Sequence, residues 1–270
     1  MSTLTAPAPA RSTIVAPSTA RLSFGRVLRS EWIKLATLRS TWWSLGIAVA
    51  LSVGISLLMA AALSDADAGF PAVMTIVMPL QFTMLVAGIL GAIAVTGEYS
   101  TGMIRSTLAA EPRRGAVLAA KALVIAAVLA VATLVGDAIA IAATAPILST
   151  QIDWSDATVS ILPLAFGMLS MMVFALIGLS FGFVIRNGAG AIAATVGLLF
   201  VAPVVVSIFS MFGQSWRWIV DLGRYLPMNA AAAITTPGGR DDLWPEVLAL
   251  LAWAVVGLGA GWAVLRTRDA

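Results

Sequence analysis

Cysteine and histidine are both absent from the 270 residues. That pair of absences removes disulfides, thiol nucleophiles, imidazole bases and the usual zinc sites, and leaves the redox compartment unreadable. Charge is scarce as well. Asp, Glu, Lys and Arg make up 11% of the chain, against roughly 25% in soluble domains, too few to cover a water-facing surface. There is no Gly-x-x-x-x-Gly-Lys-Ser/Thr phosphate loop, no Asp-Glu pair closing a soluble strand and no signature-loop glycine cluster. The chain therefore has no means of hydrolysing ATP. The formal charge of +3 is not gathered into a basic domain but spread in short stretches between apolar runs, which argues against nucleic acid as a partner.

What is present is apolar sequence, 60% of the chain. A helix crossing the hydrocarbon core needs about 20 mostly apolar residues. Six windows meet that length: Trp42 to Leu63, Pro71 to Val95, Ala122 to Ile147, Val159 to Ile185, Ala189 to Phe212 and Pro245 to Leu265. The fourth and fifth are parted only by Arg186-Asn187-Gly188, a good tight turn. Pro79 and Pro203 mark the two interior breaks. The fold class is an all-α polytopic membrane protein. Residues 1–20, rich in Pro, Ala, Ser and Thr, lack the apolar core of a secretion signal and predict a disordered tail.

Lysine and arginine set the orientation. With both termini cytoplasmic, 13 of the 16 fall inside: Arg11, Arg21, Arg26, Arg29, Lys34, Arg39, Arg105, Arg113, Arg114, Lys121, Arg186, Arg266 and Arg268. Only Arg217, Arg224 and Arg240 fall outside, among the acids Asp65, Asp67, Asp153, Asp156, Asp221, Asp241, Asp242 and Glu246. Trp154, Trp216, Trp218 and Trp244 near the outer boundaries, with Trp42 and Trp43 near the inner one, predict interfacial anchors. Gly178 with Gly182, and Gly257 with Gly261, have the small-xxx-small spacing that lets membrane helices approach closely.

Two cytoplasmic features exceed what a plain bundle needs. From Phe24 to Ser40, residues Phe24, Val27, Leu28, Trp32, Leu35, Leu38 and Trp42 share one helical face, opposite Arg26, Arg29, Ser30, Thr37 and Ser40. This predicts an amphipathic helix in the membrane interface, either an anchor or a transmitter of motion. Glu31 and Arg39 interrupt its apolar face, and both should find polar partners. The second feature is the loop from Gly97 to Arg114. Ser100 or Thr101 can cap a short helix there, Met103, Ile104, Thr107 and Leu108 give it a semi-apolar face, and Pro112 stops it. It reads either as a docking surface for a soluble partner or as a solvated loop. Asp137 is the one clear acid within a span. It lines a path for cationic substrates, makes a structural hydrogen bond to a neighbouring helix, or sits near the outer interface.

Three stretches carry a family likeness. They are Arg29-Ser30-Glu31-Trp32-Ile33-Lys34-Leu35 with Leu38-Arg39-Ser40-Thr41-Trp42-Trp43; Gly97-Glu98-Tyr99-Ser100-Thr101-Gly102-Met103-Ile104-Arg105 through Pro112-Arg113-Arg114; and Tyr225-Leu226-Pro227-Met228-Asn229-Ala230. Over nearly its whole length the chain resembles the type-2 exporter permeases of the ATP-binding-cassette (ABC) superfamily, in forms frequent in high-GC Gram-positive bacteria. The resemblance implies a connecting helix within residues 21–41, with Arg29, Glu31, Trp32, Lys34 and Arg39, ahead of a six-span domain over 42–270. It implies a coupling helix in the loop 97–121, where Glu98, Tyr99, Ser100, Thr101, Met103, Ile104, Arg105, Arg113 and Arg114 would face a separate nucleotide-binding ATPase. The outer loop 213–244 would hold a helical segment, Ser215 to Thr236, that partly closes the exit.

The same likeness implies a multi-pass subunit of the bacterial plasma membrane, paired with a second copy or a second permease around one path. It would be non-catalytic and free of cofactors, with ATP and magnesium held by the partner. A secondary transporter, or a non-transporting scaffold or sensor subunit of the same fold, stays open as the alternative. The former would normally carry more intramembrane ionisable groups. A membrane enzyme needs convergent catalytic groups, and the nearest candidates for a metal, Asp153-x-x-Asp156 and Asp241-Asp242, read more simply as hydrated loop charges. A lining of mostly Ala, Val, Leu and Gly does not specify a substrate.

Overall fold

The computed structural model describes residues 23–64, 71–148, 151–238 and 242–268. The tail 1–20, with Arg11, Arg21, Asp65, Asp67, Arg240 and Asp241, lies outside them. All regular structure among the described residues is helical: α1 (Phe24–Thr37), α2 (Arg39–Leu63), α3 (Met74–Val77), α4 (Leu80–Ser100), α5 (Met103–Ala110), α6 (Arg114–Thr144), α7 (Ile161–Ile185), α8 (Gly188–Val196), α9 (Ala202–Phe209), α10 (Arg217–Gly223), α11 (Pro227–Thr235) and α12 (Trp244–Thr267). Six helical stretches are long and apolar enough to span a membrane: Arg39–Leu63, Met74–Ser100, Arg114–Thr144, Ile161–Ile185, Gly188–Phe212 and Trp244–Thr267. The chain is thus an all-α polytopic membrane protein.

Local chemistry explains each interruption. Pro79 cannot donate to the helical ladder and separates α3 from α4 within the second span. Pro203 is accommodated by a π-helical turn, Gly197–Val201, which loosens the backbone just ahead of it. At the tight turn after α7, Arg186 takes the left-handed conformation with φ 59°, and the Asn187 side chain accepts from Gly190 N at 2.9 Å to start α8. The amphipathic segment ends earlier than its sequence pattern predicts. Leu38 turns extended (ψ 113°), so the first span begins at Arg39, and the Trp42 indole donates to the Ala36 carbonyl across the corner at 2.8 Å.

Spans two, three and four form the packed centre, with Met84, Leu129, Phe174 and Leu179 fully buried there. The first, fifth and sixth spans lie outside it and leave apolar side chains such as Leu58, Met211 and Val255 uncovered, as a lipid-facing surface permits. The tightest seam joins α4 to α7. A Cβ added at Gly178 would stand 1.8 Å from the Gly88 carbonyl oxygen, and one at Gly91 would stand 2.0 Å from that of Ala175. Gly182 fits against Val95, and Gly257 of α12 against Ser180. These glycines let two backbones touch where no side chain has room.

The seam predicts that Gly178→Ala or Gly91→Ala destabilises the bundle by at least about 1–3 kcal/mol, the usual effect of overpacking against a backbone that cannot move aside. Gly54→Ala, which meets nothing within 4 Å, should stay within about 0.5 kcal/mol. Thermal unfolding of the purified variants in detergent checks the contrast.

Candidate functional site

At the end of the bundle that carries the basic loops, α6 is longer than a bilayer requires. Its 31 residues extend about 46 Å, against a hydrocarbon core of about 30 Å. The excess lets its first turns receive α1. Val27, Glu31 and Leu35 recur every four residues and form the buried face of α1. Val27 packs on Val117 and Ala120 of α6, joined by Leu108 of α5. An acid at the centre of that stripe is therefore carried into the protein.

Glu31 is 2% exposed, and it meets Lys121 of α6, itself 3% exposed. Lys121 Nζ donates to Glu31 Oε2 at 2.5 Å and to Glu98 Oε1 of α4 at 2.7 Å. Lys34 Nζ, one turn after Glu31, donates to Glu31 Oε1 at 2.6 Å and to Glu98 Oε1 at 3.1 Å. The four groups alternate in sign around a closed, net-neutral ring drawn from three helices. Lys34 Nζ also reaches Thr107 Oγ1 of α5 at 3.0 Å, which ties in the short helix. Burial alone would depress the Lys34 ammonium. The hydrogen bond and charge of Glu31, with the charge of Glu98, outweigh it and hold the pKa above the ordinary 10.5.

A second set of bonds fastens the same end. Arg114, at the start of α6, donates to the carbonyl of Leu265, and Arg186 Nη2 donates to Val264 O at 3.2 Å. Two cations thus cover the carbonyl end of α12, where the helix dipole favours them. The Arg186 guanidinium also lies 5.2 Å from the centre of the Tyr99 ring.

The structure divides the residues expected on one docking face. Ser100, Thr101, Met103, Arg105 and Arg113 are exposed. Glu98 is not, because both lysines draw its carboxylate inward. Ile104 is buried, Tyr99 is half-covered beneath Arg186, and Arg114 is committed to α12. Nor do Ser100 and Thr101 cap α5. Both hydroxyls bond back to the Gly97 carbonyl, at 3.0 and 2.9 Å, while left-handed Gly102 ends α4 and opens α5. Glu111 accepts from Arg113 Nε at 2.9 Å and Nη2 at 3.1 Å. These bonds hold its carboxyl below the usual range and shape the turn into α6.

In α1, Arg29 and Trp32 are exposed, Glu31 and Lys34 enter the ring, and Arg39 stands exposed with no ion pair among the described residues, contrary to the partner expected for it. Asp137 is buried inside the bundle. Asp153 and Asp156 are engaged by Ser155 and Thr158 in tight turns. Sequence reasoning missed Lys121, read only as one basic residue among many. The signal was present: a lysine within Leu118-Ala119-Ala120-Lys121-Ala122-Leu123 needs an acid if that helix is packed.

Lys121→Met should leave two carboxylates sharing one ammonium in a closed space and destabilise the protein by about 3–5 kcal/mol. Adding Glu31→Gln should restore part of that loss, as coupled neighbours do. Lys34 sets the pH window. Its pKa is raised on folding, so its contribution is complete at neutral pH and is lost only as pH climbs past 10.5 and through the folded value. Unfolding midpoints of both variants, and of the parent from pH 7 to 11, check this.

At the opposite end, the Arg224 guanidinium reaches buried Glu246 at 3.4 Å, and the Trp253 indole donates to Tyr225 O at 2.9 Å. Together with the Asn229 bond to Gly223 O at 2.8 Å, these fix the corner between α10 and α11 against α12. A sequence family described as ABC-2 family transporter protein matches residues 48–270. No curated protein matches the chain. The match covers all six spans except the first turns of α2 and leaves α1 outside it, so the ring joins a segment beyond the match to the matched body. The chain belongs to the ABC-2 transporter family and is a multi-pass permease component of an ABC transporter.

Proposed function

We propose that the chain is the membrane-spanning half of an ATP-driven exporter, and that α5 is where a separate ATPase subunit engages it. The observation that carries this reading is the ring Glu31–Lys121–Glu98–Lys34 with Thr107 attached, because it gives a surface helix a rigid connection to three others. The exposed side chains of Met103 and Arg105, flanked by Ser100, Thr101 and Arg113, form the contact surface. ATP and magnesium are bound by the partner, and a displacement of α5 on nucleotide binding passes through the ring to α1, α4 and α6.

The basic end faces the cytoplasm of a bacterium, by the bias of lysine and arginine. A second copy or a second permease completes the path through the plasma membrane. The apolar sides of the first, fifth and sixth spans supply the area for that pairing.

Docking and transmission separate in experiment. Met103→Glu with Arg105→Glu should reduce co-purification of the nucleotide-binding ATPase subunit from native membranes at least about tenfold, with the unfolding midpoint unchanged. Undiminished association would refute the docking face. Glu98→Gln should leave that association intact while lowering substrate-stimulated ATP hydrolysis. Loss of binding with Glu98→Gln in a folded protein would instead return Glu98 to the docking surface.

A further inference from the structure

The side of α1 that the ring does not hold borders an open groove of about 640 Å³ between α1, α2 and α6. Trp32 and Ala36 of α1, Gly46 and Ala50 of α2, and Ala127 and Val131 of α6 are among the residues lining it, and no charged side chain is. Small residues keep it open: a Cβ at Gly46 would meet nothing within 4 Å. The lining runs from Thr41 to Val53 on α2 and from Ala127 to Ile139 on α6, about 18 Å along each by the helical rise. That is close to the depth of one leaflet, half of a hydrocarbon core of about 30 Å. One end of the groove stops at α1, which a spanning helix of a second copy would have to pass. An acyl chain from a single leaflet fits the length without that obstacle.

Two cations stand at the α1 end. Arg29 and Arg39 are exposed, and neither enters an ion pair among the described residues. Arg29 precedes Trp32 and Ala36 by three and seven residues, and Arg39 precedes Trp42, Gly46 and Ala50 by three, seven and eleven. Each arginine therefore shares a helical stripe with residues of the lining. Nothing at the corner offsets them. There is no acid in α2, and the only one in α1, Glu31, is turned into the ring. The first turn of α2 has no side-chain cap, so its amides and the positive end of its dipole add to the arginines. The last carbonyls of α1 are already used. Thr37 Oγ1 donates to Ile33 O at 2.8 Å, Leu38 N to Leu35 O at 3.4 Å, and the Trp42 indole to Ala36 O at 2.8 Å. Positive charge and free donors thus lie beside an apolar slot, with Trp32 and Trp42 exposed where indoles favour the headgroup level.

We infer that this groove binds one anionic phospholipid, with an acyl chain between α2 and α6 and the phosphate against Arg29, Arg39 and the first amides of α2. Two cations without an acid beside them favour a headgroup of net negative charge over a zwitterionic one. The bound lipid fastens α1 to the first span on the side the ring leaves free. The site shares no residue with the docking face and stands whether or not that face binds an ATPase.

The test uses purified full-length protein in detergent, given equimolar phosphatidylglycerol and phosphatidylcholine and read by native mass spectrometry. One phosphatidylglycerol per chain should be retained, in at least about tenfold preference. In Arg29→Gln with Arg39→Gln that preference should fall to near parity. Gly46→Leu, which fills the groove where the backbone has room, should lower phosphatidylglycerol retention at least about tenfold while the unfolding midpoint in lipid-free detergent stays unchanged. Ala50→Phe repeats the test at an exposed position should Gly46→Leu fail to fold. Equal retention of the two lipids by the parent would overturn the assignment. An undiminished preference in the arginine variant would do so as well. Undiminished retention in both groove variants would leave surface charge as the only attraction and overturn it too, and a dimer lost in those variants would then give the groove to a second copy.

Discussion

Three charges withdrawn from water and a fourth, on Lys34, partly withdrawn can coexist only if all four arrive together. In the ring at the basic end, each carboxylate touches two ammonium groups and each ammonium two carboxylates. No member can leave without stranding two partners in a low-dielectric space. Such a ring adds little net stability over a well-packed apolar core. What it supplies is a unique arrangement, because sliding α1 by one turn along α6 would separate Glu31 from Lys121. Three helices and, through Thr107, a fourth are held in one register by that constraint.

The spans were legible because they depend on two local quantities, length and apolar content, and neither needs a partner helix. The amphipathic α1 was legible for the same reason, as a pattern within one segment. Glu31 stood out as an acid on an apolar face, but its partner did not. Nothing local distinguishes Lys121 from a lysine that holds a loop in the cytoplasm; the difference is whether α1 lies over it. The division of the docking loop was hidden likewise. Glu98 and Arg105 are both charges in one loop, and only tertiary contacts turn one inward and leave the other out. Ser100 and Thr101 show a competition: the α5 amides and the α4 carbonyls both want those hydroxyls, and left-handed Gly102 turns them toward α4.

Glycine spacing carried more information than its frequency in membrane helices suggests. Gly178 and Gly182 sit on the line where α7 meets α4, and Gly88 and Gly91 answer them from the other side. In a bilayer no hydrophobic force draws helices together, so close backbone contact and its dispersion energy carry more of the load. The seam accordingly marks the rigid part of the molecule. The first, fifth and sixth spans, with large side chains turned outward, are attached to it and are the parts free to meet lipid or another chain.

Ring and seam share one helix. Glu98 lies seven residues beyond Gly91 on α4, about two turns, with no proline between them. A force entering at the ring would reach the seam through continuous helix, and there the α4 backbone is in contact with that of α7. At its far end α7 delivers Arg186 to the carbonyls of α12, beside Arg114 from α6 and over the Tyr99 ring of α4. The basic end is thus cross-linked at two points, once by the ring and once by the arginines on α12. Because both points lie at the same end, α4 and α7 are held there to α1, α6 and α12 together, while at the opposite end α12 is fastened separately through Glu246 and Trp253.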